Sequence, residues 1–148
     1  METQEFRKCF QQYFKEKGFE KIGSRFFKNG NGFLCEISPF RSYYGECYYF
    51  DFAFYIGEFE KPYTINRESV DSYTPMVDSR FDFNSKDRSM CFYRNYTAEE
   101  LRSILDLNME KVIYPVFQQG KKYILDNFMT LYTTFGSRAE EIKALLSQ

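Results

Sequence analysis

The sequence predicts an α+β fold: an antiparallel sheet of about five strands in meander order, with an N-terminal helix and C-terminal helices packed on one face. Three observations carry that prediction. Apolar residues recur at helical spacing in "TQEFRKCFQQYFKEKG", turn signals divide residues 19–59 into short aromatic-rich strands whose two-residue facing leaves one face apolar, and helical spacing returns after "TAEE". A chain of 148 residues with 43% hydrophobic composition can bury one core, so residues 1–148 are read as a single domain.

In chain order, Phe6, Cys9, Phe10, Tyr13 and Phe14 fall at i, i+3, i+4, i+7 and i+8, one stripe of an amphipathic helix that Gly18 terminates. "FEKIGSRFFK", the turn signal "NGNG", "FLCEISPF", the turn "RSYYGE" and "CYYFDFAFYIGEF" then read as a three-stranded meander. With residues 43–46 as the second turn, Ile37 lies opposite Phe52, Cys35 opposite Phe54 and Phe33 opposite Ile56, giving one apolar face. Any turn centred within "NGNG" puts Ile22, Ser24 and Phe26 on that face too. The other face takes Lys21, Gly23, Arg25 and Phe27, then Leu34, Glu36, Ser38 and Phe40, then Tyr49, Asp51, Ala53 and Tyr55. One such register sets Arg25 directly across from Glu36, and Asp51 faces Ser38.

Beyond Phe59 the chain is polar and irregular through residue 79, a loop long enough to be a functional excursion or a flap. "RFDF" and "MCFYR" read as two further short strands around the turn "NSKDRS". Thr97 and Glu100 form a capping box for a helix carrying Leu101, Ile104, Leu105, Val112 and Val116, which Pro115 should kink or end. "GKKYILDNFMTLY" and "SRAEEIKALL" give two more helices, the last with a capping box at Ser137 and Glu140.

Composition narrows the function. A net charge of -1 disfavours nucleic acid, and no apolar run is long enough to span a bilayer, so a cytoplasmic protein is expected. Residues 51–100 hold ten acids against six bases, which could steer a basic partner. The absence of histidine removes Ser-His-Asp and Cys-His nucleophile systems and most zinc and copper sites. Cys9, Cys35, Cys47 and Cys91 lack C-x-x-C spacing and read as reduced core thiols. Asp71, Asp78, Asp82 and Asp87 share no metal-loop spacing and read as a solvated acidic loop. No cofactor, metal site or catalytic set is predicted.

What remains is a surface. Aromatic residues make up 21% of the chain, all Phe and Tyr, and tyrosine often lines recognition surfaces. The second sheet face is expected to be solvated, polar at its centre and aromatic at its edges. Its candidate binding residues are Arg25, Glu36, Phe40, Tyr49, Asp51 and Tyr55, with Tyr43 and Tyr44 on the adjoining turn.

The helix followed by "KGFEKIGSRFFK", then "FLCEISPFRSYYGECYYFDFAFYI", a late strand pair and a helix containing "VIYPVF" resemble the bacterial domain-of-unknown-function family 4304 over about residues 4–128. Gly18, Phe19, Gly23, Phe26 and Asp51 carry the resemblance. It implies a fold and a bacterial cytoplasmic setting but no activity. Proteins of this type also resemble the antidotes encoded beside polymorphic toxins. The leading expectation is therefore a non-catalytic protein-binding module, an immunity protein that neutralises a cognate toxin through the second sheet face and the 60–79 loop. The alternatives are a small-ligand domain or enzyme using Asp51 and Glu36 as an acid pair, and a structural homodimer formed through the same face.

Overall fold

The structure, a computed structural model, describes residues 1–57, 76–127, 140, 144 and 146–148. Helix α1, Thr3–Glu16, buries Phe6, Phe10, Tyr13 and Phe14, the stripe expected from their spacing. It closes as predicted at Gly18, whose φ of 88° lets Gly18 N–H reach Lys15 O at 3.0 Å and Phe19 N–H reach Phe14 O at 3.0 Å.

Strands β1 (Glu20–Ile22), β2 (Arg25–Gly30), β3 (Phe33–Arg41), β4 (Tyr48–Ile56) and β5 (Met76–Arg80) form an antiparallel sheet in that order. The β3–β4 register is the one counted from the sequence, with Ile37 opposite Phe52, Cys35 opposite Phe54, Phe33 opposite Ile56 and Ser38 opposite Asp51. The β2–β3 turn centres on Asn31-Gly32, both at positive φ (52° and 83°), the pair of conformations a two-residue hairpin needs. That choice sets Phe27 across from Glu36, so Arg25 reaches Glu36 diagonally instead of directly.

Two strand expectations are corrected. The first predicted strand is itself a hairpin, turning at Gly23-Ser24 so that Ile22 pairs with Arg25 and Lys21 with Phe26. The turn inserts two residues where continuous alternation was read. Ile22 therefore lies on the second face, packed against Phe27, Leu34, Ala53 and Tyr55, and Lys21 moves to the first. Strand β5 precedes the expected "RFDF": Phe81 N–H still reaches Phe50 O at 2.9 Å, but the Asp82 backbone is taken by Asn108. "MCFYR" contributes a single bridge, Cys91 to Tyr48, and then a 3-10 turn, Tyr93–Asn95.

Helix α2, Ala98–Asn108, starts with the predicted capping box: Glu100 N–H donates to Thr97 Oγ1 at 3.1 Å and Thr97 N–H to Glu100 Oε1 at 3.3 Å. The helix does not end at Pro115. It widens into a π turn, Met109–Ile113, and continues as α3, Tyr114–Gln119. Proline has no N–H for the carbonyl four residues back, Lys111 O, and Tyr123 OH donates to that oxygen instead at 2.9 Å. Tyr123 belongs to α4, Lys121–Asp126, which follows Gly120. The predicted continuation to residue 132, most of the last helix with its Ser137 cap, and residues 60–75 of the long loop lie outside the described residues; residues 76–79 belong to β5.

The main core lies between the first sheet face and these helices, and aromatic rings dominate it. Phe6, Phe10 and Phe14 of α1 meet Phe26 and Phe50, with Phe81 stacked and Phe83 tilted on Phe50. Buried Asn108 is fully occupied: its amide bonds Asp82 N–H at 2.8 Å, Asp82 O at 3.0 Å and Ile104 O at 2.8 Å. The four cysteines are free thiols; Cys35, Cys47 and Cys91 are buried and Cys9 is half-buried.

Candidate protein-contact surface

The second sheet face is two surfaces, not one. At the end away from the β3–β4 turn, Phe27, Leu34, Ala53 and Tyr55 are buried, which corrects the expectation of a fully solvated face. Glu36 is buried among them at 7% exposure. Its carboxylate accepts from Ser38 Oγ at 2.8 Å and from Tyr55 OH at 3.2 Å, and Arg25 Nη1 lies 3.6 Å away. A buried carboxylate with two donors and a cation is satisfied where it stands. Arg25, Glu36 and Tyr55 thus form a structural cluster, apart from the rest of the predicted set.

The other end is open. Phe40 and Tyr49, directly paired across β3 and β4, stack at 5.3 Å with their planes 27° apart. The Arg80 guanidinium sits 4.4 Å from the Tyr49 ring centroid and 5.5 Å from that of Phe40, a double cation–π contact. Arg80 Nε also donates to Asp51 Oδ1 at 2.6 Å, across the β4–β5 pairing that sets Asp51 opposite Arg80. The stack and the ion pair hold each other: the carboxylate fixes the plane of the guanidinium, and the rings below it limit its swing. Asp51 is therefore not a bare acceptor for a basic partner, and what this end of the face presents is a pair of aromatic rings beside an Arg80–Asp51 ion pair.

Arg80 was absent from the sequence-derived set. Its place follows from β5 pairing with β4, and the polar segment "MVDSR" gave little strand signal.

The stack runs into the β3–β4 turn, where Tyr43 and Tyr44 are 101% and 93% exposed. The turn is braced from beneath. Ser42 N–H donates to Cys47 O at 2.9 Å, and buried Ser42 accepts from Tyr44 N–H at 3.1 Å. Glu46 pairs with Arg94, which also holds Glu2 at 2.9 Å. Two tyrosine rings are thus carried into water on a turn closed by the Ser42–Cys47 bond and by the Ser42 hydroxyl. Phe40 adds a ring 39% exposed.

Among the described residues, no group of three or more Cys, Asp or Glu side chains could hold a metal ion, and no helix is long and apolar enough to cross a membrane.

The fold and the surface define the class: an α+β protein built on an antiparallel meander, helices over one face, and an aromatic tip where the other face is left open. Within that class the chain belongs to the family described as Domain of unknown function (DUF4304), which it matches over residues 10–119. No curated protein and no solved structure matches it significantly.

Proposed function

We propose that the protein is a non-catalytic binding module that recognises a protein partner through the Tyr43-Tyr44 tip and the adjoining Phe40–Tyr49–Arg80 stack. The observation that carries this reading is the near-complete exposure of two adjacent tyrosines on a braced turn. Tyrosine and arginine are among the side chains that most often supply interface energy: the tyrosine ring buries much surface at the cost of few rotatable bonds, and the planar guanidinium stacks and donates in a fixed geometry. Here the Arg80 plane is already held by Asp51 and the rings, so less ordering remains to be done on binding.

The more particular reading is an immunity protein that neutralises a cognate bacterial toxin in the cytoplasm. It is supported by the absence of histidine and by the engagement of both candidate acids, Glu36 with Arg25 and Asp51 with Arg80, which weakens the rival use of the two as a catalytic pair. The test is co-expression with the toxin-like reading frame nearest its gene. The account expects growth to be restored by the parent protein and not by a Tyr43→Ala/Tyr44→Ala variant of unchanged thermal stability. Equal protection by parent and variant would overturn the assignment of the surface.

A further inference from the structure

We propose that a second site, a cleft on the helix-covered face beside the middle of α1, binds a small organic anion, its phosphate or carboxylate held by Arg7, Lys21 and Arg41. The cleft encloses about 410 Å³ and opens to solvent, a size suited to a small molecule. It is bounded by α1, the Gly23-Ser24 turn and the last residues of β3. Arg7, Lys21 and Arg41 line it from three separate elements, α1, β1 and β3, and no acidic side chain does.

No acid among the described residues pairs with any of the three, whereas Arg25, Arg80, Arg94 and Arg102 each hold a carboxylate. Like charges gathered at one concavity repel each other and raise the local concentration of anions, so an anionic ligand relieves a cost that the free protein carries. The rest of the lining mixes carbon from Phe10, Phe26 and Pro39 with the polar groups of Gln11, Ser24 and Tyr48. Three cations beside a partly apolar wall match an anionic group carried on a carbon body better than a bare ion. Arg7 is already aimed, because its Nε donates to Tyr48 OH at 2.9 Å and leaves the guanidinium Nη atoms for a ligand.

The site depends on the split first strand. Continuous alternation would put Lys21 on the opposite face; the turn at Gly23-Ser24 pairs it with Phe26 and brings its side chain to the cleft. The cleft lies on the other side of the sheet from Tyr49, Arg80 and Asp51; Phe40, at its edge, is shared with the protein-contact surface, whereas Arg7, Lys21 and Arg41 belong to the cleft alone.

The experiment is a titration of the full chain with phenyl phosphate, followed by amide chemical shifts and calorimetry. Benzoate, inorganic phosphate and phenol are run beside it, as are Lys21→Gln and Arg41→Gln, both exposed positions whose folding is checked by thermal unfolding. The proposal expects saturable one-site binding of phenyl phosphate or benzoate, the tighter of the two identifying the anionic group. Shifts should centre on residues 7–11 and 21–26. Inorganic phosphate should bind more weakly, phenol should not bind, and each Gln variant should lose about ten-fold in affinity. Failure of both aromatic anions to saturate, equal binding of phenol, or unchanged affinity in both folded variants would overturn it.

Discussion

Replacing Gly30 by alanine tests how the meander and the C-terminal helices are keyed together. A Cβ at position 30 would stand 2.5 Å from Cδ1 and 2.9 Å from Cε1 of Phe117. That is about 1 Å inside the separation at which carbon atoms attract. The backbone there is ordinary strand, so the penalty is steric and owes nothing to φ. Neither partner yields freely. Gly30 is the last hairpin pair of β2, opposite Phe33, while the Phe117 ring packs on Phe54 at 6.3 Å and lies under the Lys28 ammonium at 5.4 Å. Overpacking of this kind costs about 1–3 kcal/mol, which for a chain of this size lowers Tm by roughly 3–10 °C. Phe117→Ala alone should also destabilise, by about 1–3 kcal/mol for a partly buried ring. In the double variant the new methyl group occupies space the ring has vacated, so Gly30→Ala should then cost under about 0.5 kcal/mol. Urea unfolding of the four proteins, followed by circular dichroism, completes the cycle. A Gly30→Ala protein as stable as the parent, or one that pays the same cost with and without Phe117, would refute the docking of the hairpin on α3.

Other outcomes follow from the same contacts. Asn108→Ala strips the Asp82 N–H and C=O of part-buried partners and the Ile104 C=O of a buried one, and should cost about 1–3 kcal/mol by urea unfolding. Burial, with a smaller contribution from neighbouring Cys47, pushes the Cys91 thiol up to about 12 from its ordinary 9.0. A pKa raised by folding gives stability that is intact below pH 9 and is lost as pH rises toward 12. The parent should therefore lose more stability than Cys91→Ala across that interval, and parallel curves would contradict the assignment. Tyr43→Ala and Tyr44→Ala, at fully exposed positions, should leave stability unchanged within about 0.5 kcal/mol by thermal unfolding.

The sheet was legible where two constraints agreed. Between β3 and β4 the turn and the apolar alternation both demanded one register, and the structure has it. At "NGNG" the alternation constrained only parity: the facing of Phe26 and Ile37 came out right, while the choice of Asn31-Gly32 depended on which pair of residues takes positive φ. The alternation through "KIGSRF" concealed a two-residue turn, and Ile22 and Lys21 exchanged faces as a result. β5 was placed too late because Phe81 and Phe83 alternate like a strand; their inward facing comes from the core, and the Asn108 amide removes Asp82 from the ladder. The burial of half the second face did have a signal. Phe33, Leu34 and Cys35, like Phe52 to Ile56, run apolar without alternation, the pattern of strands covered on both sides. Of the candidate site, the Tyr43-Tyr44 tip was visible in the turn sequence, whereas Arg80 became a member only through strand pairing.

The most direct test of the proposed contact surface is site-specific photocrosslinking in cells that natively carry the gene, with a benzophenone side chain at position 44. Position 107 serves as control, since Leu107 is an apolar residue 63% exposed on α2, outside the proposed contact surface. The account predicts a discrete adduct with one other polypeptide from position 44 and none from position 107. Identical patterns from the two positions, or no adduct from position 44, would contradict it.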